Sequence, residues 1–207
     1  STGSGVAWEA AGGGVTFKEG GTNFTNSLMV GDDATGTLDN AQKNTALGID
    51  VFAALTTGDN NVAVGFEALK ANTTGSGNTS LGGSSLVANT TGASNVAVGT
   101  DTMGSNTEGA TNTAVGLSAL YANTTGSNNI AIGHDSLRFN TTASGNTAVG
   151  KKALYSTTTS GNNTAVGFQA GDAITTGDQG TYIGQDAGGA GTTGSNTAVG
   201  AVALTTQ

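Results

Sequence analysis

The residues able to do chemistry are few and scattered. The chain has one histidine, His134, and no cysteine. Without thiols there are no disulfides, no thiolate nucleophiles and few routes to a zinc site. His134 follows a glycine that recurs along the chain, and the equivalent positions hold Phe66, Thr100, Leu117, Lys151, Phe168 and Gln185. A position that takes so many side chains reads as an exposed rim site, and no Ser-His-Asp arrangement can be assembled around it. Asp32 and Asp33 are the one adjacent acidic pair, while Asp59, Asp178 and Asp186 lie near turns. Glycoside hydrolysis needs two positioned carboxylates; charges this sparse read instead as solvated turn residues. Gly12-Gly13-Gly14 lacks the Lys and Ser/Thr of a phosphate loop. The Gly-Gly-x-Gly-x-Asp run of calcium-binding rolls is missing. Sequons begin at Asn72, Asn89, Asn123 and Asn140, but they follow from a repeat. The expectation is no enzyme, with no catalytic residue, no cofactor-binding residue and no metal ligand.

Composition narrows the class further. In 207 residues there are 36 Gly, no Pro and 10% charged residues, with a net charge of −8. Such a make-up would ordinarily mark a disordered, low-complexity segment. Here 35% of the residues are apolar and they fall at regular intervals, which argues for order. The six basic residues, Lys18, Lys43, Lys70, Arg138, Lys151 and Lys152, form no stripe along the sequence, so neither nucleic acid nor an anionic membrane surface is expected as a partner. No apolar run approaches the roughly 20 residues of a membrane span. The chain opens on Ser1 rather than Met, which reads as a processed product or an excised piece.

What must position any functional residue is a repeat. The unit Asn-Thr-Ala-Val-Gly, or a close variant, ends at Gly48, Gly65, Gly82, Gly99, Gly116, Gly133, Gly150, Gly167, Gly184 and Gly200. The step is 17 residues, except for 16 at the last, where one residue is missing between Gly194 and Asn196. Counting back 17 from Gly48 reaches Gly31 and a degenerate earlier copy, Ser27-Leu28-Met29-Val30. The first position is Asn in nine of ten clear copies, with Gly180 the exception. The second is β-branched, the third is small (Ala or Ser, with Tyr182 departing), and the fourth is Val, Ile or Leu. Four residues past the glycine stands a further apolar column: Phe52, Leu69, Leu86, Met103, Leu120, Leu137, Leu154 and Leu204, with Gly171 and Gly188 in its place in two late copies. Thr-Thr-Gly closes many copies, as at Thr90-Thr91-Gly92.

Seventeen residues are too few for a helical-pair repeat and suit one turn of a parallel β-helix or β-roll. The fold expected is therefore all-β: a parallel solenoid of about eleven 17-residue coils over 27–207, preceded by an N-terminal cap or linker over 1–26. Stacked at about 4.8 Å per coil, it would form a rod of roughly 50 Å. Side chains alternate along a strand, so the second and fourth positions share one face and the third takes the other. The fourth-position aliphatics and the Leu column are expected to fill a narrow interior, with the asparagines in a ladder at one corner. The alanines would then line the opposite strand face and let other chains approach closely. A trimer is the favoured assembly; the alternative is a monomer whose alanines face a tight second wall. The coils at Gly171 and Gly188 are expected to pack less tightly. Trp8 reads as a cap or docking residue.

The stretch from Asn112 to Gly126, Asn-Thr-Ala-Val-Gly-x-x-Ala-Leu-x-x-Asn-Thr-Thr-Gly, resembles repeats of bacteriophage tail fibres, marine ones in particular. It is also similar to the Asn-Ser-Val-Ala-Ile-Gly head repeats of the YadA-like trimeric autotransporter adhesins. The resemblance covers about 180 of the 207 residues and extends to the lead-in Glu19-Gly20-Gly21-Thr22-Asn23-Phe24. It implies a trimeric fibre, on a virion surface or extracellular, that serves attachment. The longer period and the lack of a coiled-coil stalk and membrane anchor in this sequence favour the phage form. The expected function is thus a structural or adhesive fibre segment whose partners are copies of itself and a host-surface glycan or protein. The alternatives are a bacterial adhesin or self-assembling filament subunit and, as a minor one, an ice-binding solenoid, although Val62, Val96 and Ile130 interrupt its Thr column.

Overall fold

The computed structural model describes residues 16–21, 24–31, 40–189 and 195–205. Trp8, Asp32, Asp33 and the residue gap placed before Asn196 lie wholly or partly outside them. The described strands are β1 (Thr16–Gly21), β2 (Phe24–Gly31), β3 (Ala41–Gln42), β4 (Thr45–Gly48), β5 (Val62–Val64), β6 (Thr79–Leu81), β7 (Val96–Val98), β8 (Thr113–Val115), β9 (Ile130–Ile132), β10 (Thr147–Val149), β11 (Thr164–Val166), β12 (Thr181–Ile183) and β13 (Thr197–Val199). From β2 onward, through β4 to β13, each pairs in parallel with the strand one coil later. The result is a parallel β-solenoid of about nine full turns, somewhat fewer than the eleven coils expected. Partners are 17 apart up to β12, and Thr181 pairs with Thr197, so the one-residue deletion is absorbed outside the strands. At the N-terminal end β1 runs antiparallel to β2 and takes the outer edge of the sheet.

The glycine at each strand end is required by the stacking. Gly65 has φ +133, and a Cβ there would lie 2.5 Å from the carbonyl oxygen of Gly82 in the next coil. No side chain fits so close an approach.

The orientation of the strands overturns one expectation. The third-position residues point inward: Ala63, Ala97, Ala114, Ala131, Ala148 and Ala165 are 0% exposed. The fourth-position aliphatics, assigned to the interior from sequence, point outward with the second position. Two constraints decide this. From Asn44 to Asn163 the first-position asparagine is wholly buried, and alternation places Ala on the same face as Asn. The interior is also already filled from the facing wall by the Leu column, held at φ near 50° in Leu69, Leu86 and Leu154. Left-handed backbone costs an L-residue about 1–2 kcal/mol; burying a Leu side chain, at about 1.5–3 kcal/mol, offsets it.

Buried amides tie the coils together. Asn61 Nδ2 donates to the Gly75 carbonyl at 3.0 Å, and the backbone N–H of Asn78 donates to Asn61 Oδ1 at 2.9 Å. A second ladder, not anticipated, runs through Asn72, Asn89, Asn106, Asn123 and Asn140, each Nδ2 after the first donating to the Oδ1 one coil earlier, as in Asn106 to Asn89 at 2.7 Å. Buried Leu55 and Ile174 occupy the same position at the far ends of this column. Thr73, Thr90, Thr107 and Thr124 add a third line, each Oγ1 donating to the threonine carbonyl of the next coil.

The coils at Gly171 and Gly188 are filled, not loose. Tyr182 turns inward at 0% exposure and occupies the space that two Leu side chains would have taken. A Cβ on Gly188 would lie 2.2 Å from its ring, and one on Gly180 would lie 2.3 Å from its hydroxyl. The four departures from the repeat, at 171, 180, 182 and 188, are one packing event.

Two predictions follow from this interior. Tyr182→Ala should lose about 3–5 kcal/mol in urea denaturation, and adding Gly171→Leu and Gly188→Leu should restore most of it, because their φ values of +61 and +73 lie in the same left-handed region that leucine occupies in other coils. Asn140 Oδ1 is buried without a partner where Thr157 interrupts the second ladder; Thr157→Asn should raise stability by about 1 kcal/mol, read as a higher denaturation midpoint.

Candidate functional site

The outer face of the sheet is the largest unusual surface. Each three-residue strand turns its middle residue in and its two flanks out. The fourth position therefore draws an aliphatic line down the rod: Leu47, Leu81, Ile132, Val166, Ile183 and Val199 are all exposed, Leu47 at 51% and Val199 at 66%. Parallel to it runs the second position, where exposed Val62 and Ile130 alternate with threonines. Beyond the glycine corner, Phe66, Leu117 and Phe168 extend the apolar surface. Strands spaced about 4.8 Å apart over ten levels, each about 13 Å wide with its corner, present on the order of 600 Å². About half of that face is aliphatic and the rest is largely threonine, and an apolar line this long on a surface is often functional.

The candidate chemical residues fall where turns need them. His134 is exposed, with Nε2 3.3 Å from Asp135 Oδ2, and Asp135 also takes a hydrogen bond from Arg138 Nη1. Asp59 accepts the backbone N–H of Gln42 at 2.6 Å, and Asp178 that of Gly161 at 2.7 Å. These carboxylates cap turns and are engaged with backbone. Asp186 is hydrogen-bonded by Gln185 at 3.1 Å. Lys70 lies between Glu67 (2.7 Å) and Asp50 (3.1 Å), whose hydrogen bonds raise its pKa, Glu67 having the larger effect. Among the described residues no group of three His, Asp or Glu is placed to hold a metal ion, and no helix is long and apolar enough to cross a membrane. The sequon asparagines Asn72, Asn89, Asn123 and Asn140 are wholly buried in their ladder, where a glycan could not be accommodated.

Sequence reasoning missed the outward aliphatic line because it assigned the larger side chains to the core. The signal that identifies it is the first-position Asn, whose near-invariance marks the inward parity. Comparison with known proteins adds nothing to the geometry: no family model, curated protein or solved structure matches the chain.

The assignment of faces has a direct test. Ala114→Leu should destabilise the fold by about 1–3 kcal/mol through overpacking, whereas Val115→Leu, one residue on, should stay within about 0.5 kcal/mol. Urea denaturation of the two variants reads the difference.

Proposed function

We propose that the chain is a structural and adhesive rod, a shaft segment of a phage-type tail fibre, in which three copies associate through their outer sheet faces at a virion or cell surface. The observation that carries this reading is the uninterrupted aliphatic line on the outside of the sheet. Every copy shares the same coil spacing, so side chains of one rod interleave with those of another at each level. The alanines now lie inside, and the self-association argument rests on the fourth-position residues instead. Three-fold packing suits a face bearing two parallel lines of outward side chains, since each line can meet a different neighbour. The partner beyond the rod itself is a host-surface glycan or protein, on the resemblance to fibre repeats. The alternative, a bacterial adhesin or open-ended filament subunit, shares the same surface. Ice binding is less well supported, because Val62, Val96 and Ile130 interrupt the outward threonines.

Sedimentation equilibrium should give three times the 19.9 kDa chain mass. The double variant Ile132→Lys with Val149→Lys should sediment as a monomer and keep its β-sheet circular dichroism. Growth without limit would favour the filament, and a monomeric unsubstituted chain at about 100 μM, a concentration that corresponds to only about −5.5 kcal/mol of association free energy, would remove the shaft reading.

A further inference from the structure

One wall of the solenoid departs from the repeat in a concerted way. The residue after each buried Leu is Ala53, Lys70, Val87 or Gly104 in the earlier coils, and then Tyr121, Arg138 and Tyr155 in three successive ones. These side chains are in mutual contact. The Arg138 guanidinium carbon lies 5.5 Å from the Tyr121 ring centroid and 5.9 Å from that of Phe139. Phe139 meets Tyr155 edge to face, with centroids 5.0 Å apart and ring planes at 78°. Lys152 Nζ lies 5.1 Å from the Tyr155 centroid. Tyr121 and Phe139 are exposed and Arg138, Lys152 and Tyr155 half-buried, while Lys151 and His134 stand exposed at the rim.

The charge is as local as the rings. Residues 133–166 hold Arg138, Lys151 and Lys152 against one carboxylate, Asp135, which pairs with Arg138, and Asp172 stands one coil beyond Tyr155 in the same column, in a chain whose net charge is −8. Screening over about 8 Å at physiological salt lets such a patch act independently of the distant acidic coils. A long, densely charged polyanion would still meet the negative remainder of the rod. Nucleic acid, which needs a basic track to follow, is disfavoured. What fits is a ligand with apolar ring faces, short enough for its negative charge to lie within the patch: sugar C–H faces lie flat on aromatic rings, and carboxylates are met by Lys151, Lys152 and the remaining donors of Arg138, whose guanidinium is held by Asp135 and by its ring contacts.

We propose that the wall formed by Tyr121, Arg138, Phe139, Lys152 and Tyr155 is a binding site for acidic saccharides carrying about one carboxylate per ring. The proposal rests on the attachment part of the fibre reading and not on self-association, because the wall lies past the glycine corner on the turn segments, not on the outer strand face.

The test uses the full chain and oligogalacturonate, with neutral maltohexaose and a single-stranded DNA oligonucleotide as controls, in isothermal titration calorimetry. Oligogalacturonate should bind, and Tyr155→Ala and Arg138→Ala should each weaken it at least tenfold. Lys151→Ala, at an exposed position, should weaken it less and keep the midpoint of thermal unfolding, so that loss of binding is separable from loss of fold. No binding of oligogalacturonate by a folded chain overturns the proposal, as does equal binding of maltohexaose or of DNA, or oligogalacturonate binding that Arg138→Ala and Tyr155→Ala leave unchanged. Sedimentation of the same sample reads the oligomer separately, so a monomer that binds oligogalacturonate would leave this site standing while removing the trimer.

Discussion

Between the strand and the wall that faces it, the interior of this solenoid has room for one large side chain per level, and much of the rest of the structure follows from that. The Leu column takes the space from the turn side, so the strand side is left with Ala. Tyr182 shows the constraint from its opposite limit: when the strand side supplies the bulk, the turn side falls to glycine in its own coil and the one before, at Gly188 and Gly171. Close packing tolerates little deviation in either direction. The asparagine at Gly180's position is lost for the same reason, since a Cβ there would meet the tyrosine hydroxyl.

So thin an apolar core cannot account for order on its own, and the amide and hydroxyl ladders supply the remainder. A buried amide without partners is costly, yet stacked at one level per coil each Asn finds its donors and acceptors in the coils beside it. The satisfaction is therefore a property of the array: a single coil could neither bury its Leu nor pair its Asn. Stability of this kind is a sum of nearest-neighbour terms. Among the described residues two buried amide atoms lack partners: Asn140 Oδ1, where Thr157 breaks its column, and Asn163 Nδ2, whose own Oδ1 still accepts from the backbone of Gly180.

Much of this was legible in the residues. The period, the parallel stacking, the glycine corners and the early copy before Gly31 all follow from spacing alone, and β2 pairs with β4 in the register that counting back by 17 predicts. The direction in which the strand faces was not read correctly, because size was weighed above polarity: Val and Leu looked like core beside Ala. In a coil this narrow the polar residue is the better guide, since an almost invariant Asn has reason to persist only where its amide is enclosed and paired. The second ladder was hidden in a similar way, its asparagines read as sequons. The aromatic wall is a different case. Tyr121, Arg138 and Tyr155 are unremarkable as sequence, being 17 apart, and become a cluster only once the coil stacks them.

That last point bears on how a rod of this type carries specificity. A surface that repeats every 17 residues presents the same chemistry at every level, which suits association with another copy of the same periodicity and gives no single place to hold a small ligand. Recognition requires the translation symmetry to be broken, and the fold restricts where it can be broken cheaply. Inward positions are fixed by volume and by the ladders, and the outer strand face by the aliphatic line. Positions on the turn wall carry neither constraint, so a column there can change from Ala or Gly to Tyr or Arg, with Tyr121 lying against Gly104 one coil earlier, and three such changes in consecutive coils lie one strand spacing apart, about 4.8 Å, close enough for their rings and cations to touch. The same stacking that makes the rod uniform thus turns substitutions distant in sequence into one contiguous surface.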